Sequence, residues 1–225
     1  VHFNERVLVL GAENTEALWL SEGLAQMAEE VVARAYYGLD EVTKGDRFRS
    51  GNLTRARRYL ASPADISLIV ATGQGSLGER GAAWLHTLYL WDSWGGDDVL
   101  RRLTRSTRTG IENISAVTGS AWEGLFADWA AALYLDERAA EPYPFEYPSV
   151  DLRGLLATST GSYPLAPEVV GSTDFTRAGS LWSSSMTHYI VVPPNAGSVA
   201  LRLGGEAGGI VPNDASLRLR IVRLF

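Results

Sequence analysis

Eight of the nine prolines in this 225-residue chain lie beyond Arg138. Proline fixes φ and removes a backbone donor, so a segment that almost lacks it is free to be helical, whereas a proline-dense segment is not. The chain therefore divides. Residues 1–138 are expected to form a helical part, 139–164 a Pro-rich linker opened by "EPYPFEYP", and 165–225 a small antiparallel β unit. The expected fold class is α+β.

Local signals refine this reading. "ENTEALWLSEGLAQMAEEVV" (13–32) has amphipathic periodicity; Asn14 or Thr15 is placed to accept its first amide protons, and Gly38 to stop it. Segment 40–62 is polar and arginine-rich and reads as loop with a short helix, and "SPADISLIVATG" gives a mixed signal. Ser76 with Glu79 has capping-box spacing ahead of a helix running to about Trp94 and Gly95-Gly96. Asp97 or Asp98 starts another helix, and Ser120 with Glu123 is a second capping box before "AWEGLFADWAAALYL". In the C-terminal part "LRLRI" alternates with the period of a half-buried strand.

Composition narrows the function classes. The net charge of −6 disfavours nucleic acid, which asks for a basic face. The arginines of "RFRSGNLTRARRYL" and "LRRLTRSTR" read as solvated helix faces. With no cysteine there are neither disulfides nor thiolate metal sites. No run reaches the roughly 18–20 apolar residues of a membrane span, so no transmembrane segment is expected. The chain opens on "VHFNERVLVL", without methionine or leader, and reads as the middle of a longer polypeptide.

The 13–32 helix carries the most specific feature. Glu22, Gln26, Glu29 and Glu30 fall along one side, and periodicity alone makes that side the wet one. "WLSEGLA", however, resembles the second signature of gluzincin zinc peptidases, in which the glutamate of "WLNEG" is the third zinc ligand. More narrowly, "VHFNERVLVLGAENTEALWLSEGLAQMAEEVV" is similar to the hyicolysin-like metallopeptidases, and the similarity extends through "RGAAWLHTLYLWDSWGGDDVLRRLTRSTRTGIENI" and "FADWAAALYLDE". Ser21 stands where that family usually has asparagine.

The resemblance implies a gluzincin-like C-terminal helical subdomain, with Glu22 as metal ligand and Gln26 and Glu29 supporting it from behind. It also implies a peptide or protein substrate and an extracellular or periplasmic location. Catalytic zinc takes three protein ligands and keeps one position for water, which attacks the peptide carbonyl while a glutamate takes its proton. H-E-x-x-H, which supplies two histidines and that base, does not occur in the chain, whose histidines are His2, His86 and His188. The family pattern places it just before Val1, with His2 and Asn4 just after its helix; in the alternative alignment His2 is the second histidine of a truncated motif that still lacks its first histidine and its base. Zinc is thus expected only if such a helix is supplied upstream, and the chain as it stands is expected to be non-catalytic.

Two further readings are carried. One is a non-catalytic accessory or structural subunit of a larger cell-envelope complex, with Tyr143, Phe145 and Tyr147 of "PYPFEYP" as partner contacts. The other is a binding module on the C-terminal sheet, whose available aromatics are Trp182, Tyr189 and Phe225. His86, inside "AAWLHTLYLW", is expected to be a core histidine satisfied by a hydrogen bond, and the Trp84/Leu88/Trp91 and Trp122/Phe126/Trp129 stripes to be core. Ser183 to Ser185 near His188 lacks a nucleophile elbow, and "GQGSLGERG" lacks the lysine of a phosphate loop.

Overall fold

A computed structural model describes residues 10–11, 15–70, 75–138, 144–171, 181–192, 200–201 and 217–224. Among them are seven helices: α1 (Leu18–Tyr37), α2 (Val42–Leu60), α3 (Leu77–Ser93), α4 (Asp97–Arg105), α5 (Gly110–Thr118), α6 (Trp122–Leu135) and α7 (Leu152–Leu156). Two short strands follow, β1 (Glu168–Val170) and β2 (Tyr189–Val191). The class is α+β with helix dominant, and no helix among the described residues is long and apolar enough to cross a membrane.

Helix α3 sits at the centre. Every residue from Gly81 to Leu90 is buried, more than two full turns, so this helix is covered on all sides. Its start is the capping box read from the sequence: the Glu79 amide donates to Ser76 Oγ, and the Ser76 amide donates back to the Glu79 carboxylate. Helices α1 and α2 pack against it at glycines. A Cβ on Gly23 would stand 2.3 Å from Thr87 Oγ1 and 2.8 Å from the Ala83 carbonyl oxygen. One on Gly81 would stand 2.1 Å from the Arg55 carbonyl oxygen.

Several expectations are corrected. Segment 40–62 is not loop and a short helix but the 19-residue α2. Its buried positions Gly45, Asn52, Ala56, Tyr59 and Leu60 fall at helical spacing, a stripe narrow enough to be hidden by the surrounding charge. Helix α1 begins at Leu18, with no side-chain cap. The buried Glu16 just before it turns instead to α5: its carboxylate accepts from the amides of Ala17 (2.8 Å) and Gly110 (2.6 Å) and from Asn113 Nδ2 (2.8 Å). Ser120 and Glu123 form no capping box, because α6 starts one residue later, behind Ala121.

The described part of the expected linker lies on the core. Tyr147 is buried; its hydroxyl donates to the Leu85 carbonyl (3.2 Å) and accepts from Trp129 Nε1 (2.9 Å). Asp136, at the end of α6, accepts the amides of Tyr147 and Leu152, each at 2.8 Å. Tyr163 donates to the Leu133 carbonyl, and Leu152, Leu156 and Leu165 complete the core. The proline-rich segment holds no helix longer than the five-residue α7 among its described residues, yet it is buried. Beyond it, β1 and β2 pair in parallel, Glu168 opposite Tyr189, where antiparallel pairing was expected. The connection 171–188 is long enough for the crossover that parallel strands need. "LRLRI" (217–221) is not a strand: Leu217, Leu219 and Ile221 are exposed, and alternation specifies a strand only where a ladder partner and a face to bury exist.

Asp136 gives this packing a pH signature. Burial raises its carboxyl pKa to about 6, against the opposing pull of the two amide donors. Between about pH 4 and pH 6 the folded chain therefore holds more protons here than the unfolded chain, so this group's contribution to stability falls as pH rises through that window. Relative to Asp136→Asn, the wild type is expected to lose up to about 1.4 kcal/mol per pH unit there, measured by urea unfolding at pH 4, 5, 6 and 7.

Candidate functional site

The four polar residues along α1 separate into different environments. Glu22, one turn into α1, is half-buried at the rim, its carboxylate 3.5 Å from Arg80 Nη2 on α3. Gln26 is buried, and neither its amide nitrogen nor its oxygen has a hydrogen-bond partner. Glu29 is exposed, with Arg55 at 4.0 Å. Glu30 is fully buried, and Arg34 Nε and Arg49 Nε each donate to it at 2.8 Å.

At Gln26 and Glu30 this side of α1 is therefore not wet. It is covered by α2, whose Asn52 donates to the Gln26 carbonyl and whose Arg49 reaches Glu30. Arg34 also donates to Ser149 Oγ and lies over the Trp91 ring, while Arg49 lies over Tyr37. The charge of Glu30 is thus balanced by two guanidiniums that are themselves stacked on rings. Removing one member of such a buried set leaves an uncompensated charge, which makes Glu30 the costliest of the four to change.

The local chain explains why Glu22 stands at the rim. Trp19, Leu20, Leu24 and Met27 are buried, which fixes the rotation of α1. Gly23 lets the helix backbone press directly on Ala83 and Thr87, and Glu22 is carried to the edge of that contact beside Arg80. Asn4 and His2, expected just after an upstream helix, lie outside the described residues. Of the two residues expected behind Glu22, Gln26 is buried and Glu29 exposed.

Among the described residues no group of three His, Cys, Asp or Glu side chains is placed to hold a metal ion. Glu22 contributes one carboxylate with a guanidinium beside it, and that donor set does not by itself fit a catalytic zinc.

The remaining expected sites are placed as follows. Tyr143 lies outside the described residues, Phe145 is half-buried beneath the Arg220 guanidinium at 5.3 Å, and the buried Tyr147 is not available as a partner contact. Of the C-terminal aromatics, Trp182 and Tyr189 are exposed and Phe225 lies outside the described residues. His188 donates from Nε2 to the Ala130 carbonyl at 2.7 Å. It lines an open groove of about 270 Å³ with Asp65, Glu168 and Met186. His86 is buried as expected, yet no hydrogen bond satisfies it. Comparison with family models, curated proteins and solved structures finds no match to this chain.

The geometry predicts unequal costs around Glu22. Gly23→Ala must push α1 off α3 and is expected to cost about 1–3 kcal/mol. Glu22→Gln, which takes the charge out of a partly exposed ion pair, is expected to cost less than about 1 kcal/mol. Denaturant unfolding of the two variants reads both, and equal costs would show that the glycine contact does not hold α1.

Proposed function

We propose that this chain is the C-terminal part of a hyicolysin-like zinc metallopeptidase, in which its helices form the gluzincin-like subdomain. Its contribution to the metal site is Glu22. The observation that carries the reading is the placement of the "WLSEGLA" helix: its apolar residues and Gly23 lock it against α3 and leave Glu22 alone at the rim, oriented by one long contact with Arg80. A carboxylate offered from a rigid helix at a surface edge suits a metal whose other ligands arrive on a second element. Those ligands and the general base would come from an H-E-x-x-H helix ahead of Val1 in the native polypeptide. With them, zinc would supply an activated water for peptide-bond hydrolysis, in an extracellular or periplasmic setting.

The Glu22–Arg80 contact also favours a second reading, in which Glu22 is no more than one half of an interhelical ion pair. On that reading the chain is a non-catalytic accessory or structural subunit of a larger cell-envelope complex, and its partner is a protein.

The deciding measurement is the intact mass and mapped N-terminus of the native polypeptide, combined with its metal content. The peptidase reading expects sequence bearing H-E-x-x-H ahead of Val1 and one zinc per chain. Glu22→Gln is then expected to lose that zinc while keeping its far-UV circular dichroism. A native chain that starts near Val1, or one that retains zinc after Glu22→Gln, would remove Glu22 from the metal site and leave the subunit reading.

A further inference from the structure

The least satisfied part of the core surrounds His86. This residue lies midway along α3, fully buried, with Trp19 of α1 and Trp122 and Trp129 of α6 around its ring at centroid distances of 5.9, 5.5 and 5.1 Å. Trp129 meets it nearly at right angles, at 89°. Neither Nδ1 nor Nε2 has a hydrogen-bond partner. A neutral imidazole carries one donor and one acceptor, and burying both unpaired is costly. An imidazolium in the same place would carry two unpaired donors and a full charge.

No charged group among the described residues compensates. On α1, the Glu16 carboxylate is taken up by the amides of Ala17 and Gly110 and by Asn113, and Glu22 is drawn to Arg80 at the rim. On α6, Asp128 pairs with Arg220, and Glu123 lies in the first turn with no ion pair to the cage. From α2 the ring stacked on Trp129 is Tyr59, whose own ionisation is suppressed by burial. On α3, Glu79 belongs to the capping box and Arg80 to Glu22.

We propose that His86 is an acid-sensitive latch of the helical core: neutral, it fills the cage of Trp19, Trp122 and Trp129 and holds α1, α3 and α6 together; protonated, it must leave. Because all three contacts belong to elements brought together only by tertiary packing, leaving the cage loosens the packing before it melts the helices. Burial lowers the pKa of the ring to about 3, which agrees with this. A depressed folded-state value means that the stabilisation is complete above pH 6.5 and is lost progressively as pH falls from there toward 3. The inference does not depend on the peptidase reading, and metal content does not enter its test.

The test compares wild type with His86→Leu, which is apolar and close in volume, by urea unfolding from pH 7.5 to 4. The folded-to-unfolded ratio of the wild type is expected to fall relative to the variant by about tenfold per pH unit below 6.5. Taking the difference between the two removes the opposite slope of Asp136. His188→Gln serves as a control, since burial holds His188 low as well and it must leave the His86 difference intact. Near-UV circular dichroism of the wild type is expected to be lost at a higher pH than far-UV dichroism. Should His86→Leu fail to fold, the ring resonances of His86 in the wild type decide the matter. A ring that stays neutral in all native protein down to pH 4.5 supports the latch. Titration near 6.5 with native near-UV dichroism overturns it, and so do equal pH slopes in wild type and variant.

Discussion

The structure depends on the complete burial of the middle of α3, from Gly81 to Leu90. A helix covered on every side must be met by several others, and each must solve the same problem of approaching a cylinder already crowded with Trp84, Leu85, Leu88 and Tyr89. Two of the approaches are solved by removing side chains. Gly23 brings α1 onto Ala83 and Thr87, and Gly81 brings the α2 backbone onto α3 at Arg55. Tyr147 closes another side by donating to the Leu85 carbonyl from within a proline-rich segment. The orientation of α1, and with it the position of Glu22, follows from this packing.

Strongly apolar helices were legible in the residues, and so were some helix ends, though not the starts of α1 and α6. The Ser76–Glu79 box, the start of α4 at Asp97 and the stop at Gly95 and Gly96 all depend on groups a few residues apart, and local chemistry decides them. Helix α2 was not legible for the opposite reason. Its buried stripe includes Gly45 and Asn52, neither of which reads as apolar, and its other faces carry the arginines that made it look solvated. From that one error came another. Without α2, the Gln26 and Glu30 side of α1 has nothing to pack against, so it reads as the wet face; with α2 in place, Arg49 and Asn52 make it an interface.

The same reasoning accounts for the C-terminal half. Proline removes donors and ends helices, but it does not keep its neighbours in water. Tyr147 and Tyr163 are buried because Trp129, Leu85 and Leu133 offer them hydrogen-bond partners that are distant in sequence. Asp136 holds the segment by accepting two of its amides, and Arg57 of α2 donates to the carbonyls of Leu155 and Leu156 at the end of α7. None of these pairs has a local signature. The alternation of "LRLRI" failed in the complementary way, since it is a local pattern whose meaning depends on a distant partner strand.

What remains distinctive is where the polar atoms without partners are found. Among the described residues Gln26 on α1, Tyr59 on α2 and Trp84, His86 and Asp92 on α3 each have a buried side-chain nitrogen or oxygen without a partner, as do Asn113 on α5 and His188 just ahead of β2. A core selected for stability alone would carry leucine or phenylalanine at such positions, since each unpaired group costs about 1–3 kcal/mol. The polar groups that are satisfied in the same region, Glu16, Glu30 and Asn52, show that these helices can pair buried polar atoms where the contacts exist. Of the unpaired ones, Gln26 lies on the Glu22 helix and His86 in the tryptophan cage. Departures from local consistency tend to mark sites where function is placed at the expense of stability. On that ground the α1–α3 interface, rather than the exposed C-terminal sheet, is the part of this molecule where its chemistry should be sought.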